Sequence, residues 1–262
     1  MDIAERKTIP VVKRYYKSEY KKAIKSFIAM NPTNYENVFM IEGLVKIYRD
    51  LYVTIGLRFA KWYARNFDKF IKKGINPNEF ESFWAERFAF LGMSVGAQRV
   101  TLVSGTAKKT LRNILTKFMQ DEEFMMLGAA EQARVLTNTF NRYSTNQATR
   151  LVRTEATAAA NFATMQSALT IFPGAQMYKE WIASFDDRTR DAHAEAGASE
   201  PIPYNDQFLV GGEFMQYPGD PAGSAANVIN CRCSVAPFPV ENAEGLADIE
   251  GIGFGLAGQG TF

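Results

Sequence analysis

The 262 residues carry a hydrophobic fraction of 47%, which is enough to bury a core in one large or two modest domains and excludes a globally disordered chain. The net charge of +2 is unevenly spread: residues 1–25 hold 8 Lys/Arg against 3 Asp/Glu and residues 26–150 hold 17 against 11, whereas residues 151–240 hold 5 against 10 and residues 241–262 hold four acids and no base. No apolar run approaches the roughly 20 residues that span a bilayer, and the basic N-terminus lacks an apolar h-region, so neither membrane anchor nor signal peptide is expected.

In chain order, residues 1–30 mix lysines and arginines with Tyr15, Tyr16, Tyr20 and Phe27. Two readings stand. The stretch is either an amphipathic helix with aromatic packing or a basic arm on nucleic acid or an acidic partner, whose phosphate contacts would weaken with salt. Asn34 to Lys73 reads as one long helix, because Val38, Ile41, Leu44, Val45, Tyr48, Leu51, Tyr52 and Ile55 recur at three- and four-residue steps. Lys73-Gly74 and Asn76-Pro77 stop it. Further helical blocks are expected from Glu79 to Gly96 or beyond, from Ala107 to Met119 and, with interruptions, from Leu127 to Ala160. Their aromatic stripes are assigned to core packing, not to a cofactor. Thr149 to Ser167 is alanine-rich and strongly helix-favouring. At its start Arg153 and Glu155 either make surface helix pairs or point at the following region and orient its loops.

After Pro173-Gly174 the pattern changes. Gln176 to Ala183 alternates as a strand, and Asp186-Asp187-Arg188-Thr189-Arg190 is a polar turn leading into a short helix bearing His193. Gly197 to Asp206 is loop, Phe208 to Tyr217 a hairpin turned at Gly211-Gly212, and Asn227 to Pro237 a last short strand. From Glu241 the chain is acidic and glycine-rich, the composition of a tail that is flexible or ordered only by a neighbour.

This region holds the only histidine, His193, and the only cysteines, Cys231 and Cys233. Two cysteines one residue apart cannot bridge without strain, which fits a reducing compartment. One imidazole and two thiolates are natural zinc ligands, with Asp187 or Asp191 as candidate fourth donor. The alternative is that the cysteines are small buried residues and His193 is hydrogen-bonded to an acid. Asp186, Asp187, Arg188, Arg190 and Asp191 beside Arg232 form a second constellation. Guanidinium–carboxylate pairs there would hold loops in fixed register, or a metal-bound water with His193 or an acid as base would make a hydrolytic site. No phosphate-binding P-loop or H-E-x-x-H pattern occurs.

Taken together, R-T-E-x3-A-x-N at Arg153–Asn161, W-x4-D-x-R-T-R-x2-H at Trp181–His193, then Gly197, Phe208, Gly211-Gly212, Pro218-Gly219-Asp220-Pro221 and I-N-C-R-C at Ile229–Cys233 resemble the phage Mu F-like minor head protein (phage head morphogenesis) family. The resemblance covers residues 150–240. It implies a protein of the tailed-phage head that associates with the portal and helps head assembly, DNA packaging or genome delivery, and it implies no enzyme.

The sequence thus predicts an α+β protein. A helical region, residues 1–149, would contact portal and capsid proteins, and its basic character would suit packaged DNA. A module at 150–240 with short strands and long loops would be held by Arg153, Glu155, Trp181, Asp187, Arg188, Arg190, His193 and Arg232, and residues 241–262 would form the tail. The expected location is the virion, with the host cytoplasm during assembly. The rival reading is a metal-dependent hydrolase or transferase using His193, Cys231 and Cys233.

Overall fold

A computed structural model describes residues 2–29, 35, 37–40, 43–71, 74–184, 186–241 and 245–247. Helices occupy the front of the chain: α1 (Asp2–Ile28), α2 (Gly43–Phe67), α3 (Glu81–Met119), the single turn α4 (Glu122–Met125) and α5 (Ala129–Ile171). Short elements follow: β1 (Met177–Ile182), α6 (Asp191–Gly197), β2 (Ile202–Pro203), β3 (Phe208–Val210), β4 (Glu213–Met215), α7 (Ala225–Val228) and β5 (Ser234–Pro239). The architecture is the α+β arrangement the sequence predicts. The chain divides into two compact units, residues 1–54 with 87–156 and residues 55–86 with 157–262.

In the first unit α1 buries an aromatic face. Tyr16 and Tyr20 are almost inaccessible, and the Tyr20 ring stacks on Phe140 at 4.5 Å while its hydroxyl donates to Gln147 Oε1 at 2.8 Å. The phenol's polar end is therefore satisfied where its ring is buried. Two glycines of α3 let α2 approach closely: a Cβ at Gly92 would lie 2.9 Å from Arg49 Cα and from Tyr52 Cβ, and one at Gly96 would lie 2.9 Å from Tyr48 Cβ.

That packing explains the main difference from the sequence expectation. Gly96 does not end a helix; it removes a side chain where two backbones meet, so the blocks at 79–96 and 107–119 are one helix of 39 residues. Similarly, α5 runs 43 residues without interruption. Ser144, Thr139 and Thr145, which favour turns elsewhere, donate their hydroxyls to the carbonyls four residues back, at 2.8, 3.0 and 3.0 Å. By contrast the helix expected from Asn34 starts only at Gly43 and gives way to a 3-10 turn after Phe67. Asn34 and residues 36, 41–42 and 72–73 of that stretch lie outside the described residues.

In the second unit β1 is the centre of a three-stranded antiparallel sheet ordered β2-β1-β5. Alternate residues Met177, Lys179 and Trp181 are buried, as one covered face requires. β2 is a two-residue strand inside the stretch read as loop, with Pro203 placed on a sheet edge, where a missing N–H is tolerated. β3 and β4 form the predicted hairpin, with Gly211 and Gly212 at φ +57° and +81° in its turn. The last strand begins at Ser234, not Asn227, because residues 225–228 coil into α7 and Asn230 turns the chain at φ +56°. The end of α2 is held in this unit by Ser167 Oγ, which donates to Ala60 O at 2.9 Å, and by Tyr63 Oη, which donates to Pro237 O at 2.7 Å. Of the predicted tail, Ala247 bridges to Glu241 and its N–H donates to Phe70 O at 2.9 Å; residues 242–244 and 248–262 lie outside the described residues.

Candidate metal centre

β1 ends beside α6. A Cβ at Gly197 would stand 2.8 Å from Ala183 Cβ and 3.1 Å from its nitrogen, so glycine is what lets the helix sit against the strand end. The turn before α6 is set by Asp186, whose Oδ1 accepts from Arg188 N at 3.0 Å and from Thr189 Oγ1 at 3.3 Å, an Asx-type turn. His193 then falls on the buried side of α6. Its ring meets Trp181 edge to face at 5.3 Å, and Trp181 meets Phe208 in the same way at 5.4 Å.

The segment 229–233 approaches from the opposite end of the chain and is held by side chains acting on its backbone. Arg190 Nη2 donates to Ile229 O at 2.7 Å, Thr157 Oγ1 to Cys231 O at 2.6 Å, and Asn161 Nδ2 to Cys233 O at 3.1 Å. Asn161 also donates to Pro218 O at 2.8 Å and accepts from Val235 N at 3.0 Å, so its amide serves both the 218–221 turn and β5. Arg232 makes a two-pronged ion pair with Asp186, Nη2 to Oδ1 at 2.6 Å and Nη1 to Oδ2. Those hydrogen bonds hold the Asp186 carboxyl down at about 2.

The result is that His193, Cys231 and Cys233, all buried, converge. His193 Nδ1 lies 3.6 Å from Cys231 Sγ and 3.5 Å from Cys233 Sγ, and all candidate donor atoms lie within 4.8 Å of one another. Neither cysteine is in a disulfide. Their protons are shared unequally. A hydrogen bond from Cys231 favours the Cys233 thiolate, with His193 and the Ser184 backbone adding to it, and the same contact together with burial pushes the Cys231 thiol up. Within this cluster, Trp181 Nε1 and His193 Nε2 have no hydrogen-bond partner among the described residues.

The sequence-predicted residues separate into three groups. Trp181, Arg190, His193 and Arg232 come together, with Asp186 as the acid that engages Arg232. Asp187 and Arg188 are largely exposed, 92% and 72% by side chain; Arg188 lies 3.9 Å from Asp187 and 3.8 Å from Asp186. Asp187 and the exposed Asp191 are absent from the His/Cys/Cys group, which contains no carboxylate. Arg153 and Glu155 belong to the first unit. Arg153 pairs with Glu5 at 3.4 Å, whereas Glu155 is buried against Arg99 at 2.5 Å and accepts from Tyr52 Oη at 3.0 Å. Glu155 is therefore neither a surface pair nor a loop orienter but half of a buried ion pair in the helical unit. Burial raises its carboxyl's pKa, and Arg99 and Tyr52 pull the other way.

Sequence reasoning missed Thr157 and the role of Asn161. Their four-residue spacing puts both on one face of α5, the available signal. It also missed Lys179, whose side chain is inaccessible. Its ammonium donates to Gln216 O at 3.0 Å and lies over the Tyr204 and Phe208 rings at 5.8 and 5.2 Å, and burial lowers its pKa to about 8.

The family described as phage Mu protein F like protein matches residues 101–236, more than half of the chain, and the protein belongs to that family. The match begins within α3, well before the motifs that start at Arg153, and ends in β5. No curated protein and no solved structure matches the chain.

Proposed function

We propose that this is a minor head protein of a tailed bacteriophage that binds the portal and assists head assembly, DNA packaging or genome delivery, acting by binding and not by catalysis. The observation that carries the reading is membership of the phage Mu protein F like family across both the helical part and the strand module. Two features support it. The helical unit leaves Phe90, Met93 and Leu102 on α3 largely exposed, apolar area suited to capsid-protein partners. The excess of Lys/Arg in residues 1–150 suits packaged DNA. No helix among the described residues is long and apolar enough to cross a membrane. On this reading the protein resides in the virion near the portal and passes through the host cytoplasm during assembly.

The test is co-purification of the tagged chain with the portal protein of the same genome at low and high salt. A salt-resistant complex of fixed stoichiometry supports portal binding. Association that vanishes with salt moves the weight to DNA, and no association under either condition refutes the portal role. A hydrolase would instead show turnover that disappears in His193→Ala while the fold persists.

A further inference from the structure

We propose that His193 Nδ1, Cys231 Sγ and Cys233 Sγ are three ligands of a structural zinc ion that clamps α6 to the 229–233 segment. Zinc with Zn–S about 2.3 Å and Zn–N about 2.0–2.1 Å in tetrahedral array requires N···S separations of roughly 3.5–3.6 Å. The two separations here are 3.6 and 3.5 Å. A thiol–imidazole hydrogen bond accounts for one such contact, since Nδ1 carries either one in-plane lone pair or one proton. It does not account for two sulfurs at the same distance from the same nitrogen.

The donors are also held in advance. The Cys231 and Cys233 carbonyls are fixed by Thr157 and Asn161, Arg232 between them is fixed by Asp186, and the His193 ring is backed by Trp181. A ligand set built on held backbone keeps the geometry a metal needs. The donor chemistry selects zinc: two thiolates and an imidazole are soft to borderline ligands that reject calcium and magnesium. The role follows from the surroundings. β2, β3, β4 and α7 are two to four residues each, too short to close this region on apolar burial alone, and a metal contributes folding free energy where ligands from distant segments meet. Asp187 and Asp191 are exposed, so the fourth donor lies outside these three side chains and those two acids.

The experiment uses the full chain. Protein purified under reducing, chelator-free conditions is assayed for metal by mass spectrometry, then stripped and titrated with cobalt(II). The expected result is about one zinc per chain and, with cobalt, visible tetrahedral ligand-field bands with thiolate-to-cobalt charge transfer that saturate at one equivalent and are displaced by zinc. Because Cys231 and Cys233 are the only cysteines, that charge-transfer band in the wild-type chain assigns the thiolate ligands even where Cys231→Ser or Cys233→Ser fails to fold. Absence of both zinc and the cobalt spectrum overturns the proposal. So does metal retained at full stoichiometry in a folded His193→Ala variant.

Discussion

Replacing Gly219 by alanine tests whether the 218–221 turn is pressed onto α5 as the structure shows. Gly219 has φ +86°, and a Cβ built there lies 3.0 Å from Ala158 N, 3.1 Å from its Cα and 3.3 Å from its Cβ. Two costs combine. Left-handed backbone costs an L-residue about 1–2 kcal/mol, and forcing a methyl against a helix backbone that cannot rotate away costs about 1–3 kcal/mol. Gly219→Ala should therefore lose roughly 2–5 kcal/mol. Gly212 supplies the control: its φ is +81°, but nothing lies within 4 Å of its Cβ position, so alanine there should lose only the backbone term, about 1–2 kcal/mol. Urea unfolding followed by tryptophan fluorescence reads both, since Trp84 and Trp181 lie in the same unit as the two glycines. Equal losses would refute the close approach of turn and helix, and with it the placement of Pro218 O on Asn161.

Three further outcomes follow from the same geometry. Glu155→Ala takes the carboxylate from the largely buried Arg99 guanidinium and should cost about 3–5 kcal/mol, most of it recovered in Arg99→Met/Glu155→Leu; a double variant as unstable as the single one would contradict the ion-pair account. Asp186, held at about 2 by Arg232 against an ordinary 3.8, contributes stability that is present above pH 4 and lost as the pH falls toward 2, so in acid titrations Asp186→Asn should flatten the stability curve over that window. Lys179 has the opposite sense: its folded value near 8 lies below the ordinary 10.5, so the cost of burying its charge is fully present below pH 8 and relieved as pH rises toward 10.5. Wild-type stability relative to Lys179→Met should therefore increase between those pH values, the buried tyrosines titrating alike in both proteins; a constant difference would show that the ammonium is solvated.

The order of elements was legible because each carries its own local signal. The alternation at 177–182, the Gly211-Gly212 turn and the polar lead-in to His193 are patterns of a few residues, and all three form as predicted. What was not legible depends on a neighbour distant in sequence. The blocks at 79–96 and 107–119 read as separate until Tyr48 is seen packed against Gly96, and Glu155 looks like a surface acid until Arg99 and Tyr52 enclose it. Asp186 and Asp187 are adjacent and chemically identical, yet the two-pronged ion pair with Arg232, 46 residues later, is made by the first. Turn geometry decides that choice: Asp186 folds its carboxylate inward at the start of the turn, and Asp187 stands at the exposed tip.

Seen from the 229–233 segment, the scattered motif is one physical object. That segment has neither helix nor strand to satisfy its backbone, and buried carbonyls without partners are costly. Thr157 and Asn161 from α5 and Arg190 from the lead-in to α6 each accept that burden by donating to one of its carbonyls, while Asp186 holds Arg232 in place. Residues separated by as much as 76 positions thus act together: Thr157 and Asn161 supply donors to the buried Cys231 and Cys233 carbonyls, and Arg190 and Asp186 engage the part-buried Ile229 carbonyl and Arg232. The consequence is a testable asymmetry. Thr157→Val, which keeps the shape and deletes the donor to Cys231 O, should cost about 1–3 kcal/mol, whereas the same exchange at Thr139, whose hydroxyl merely doubles a helical carbonyl's bonding on α5, should cost far less. Were the two equal, backbone satisfaction would not be what these residues provide.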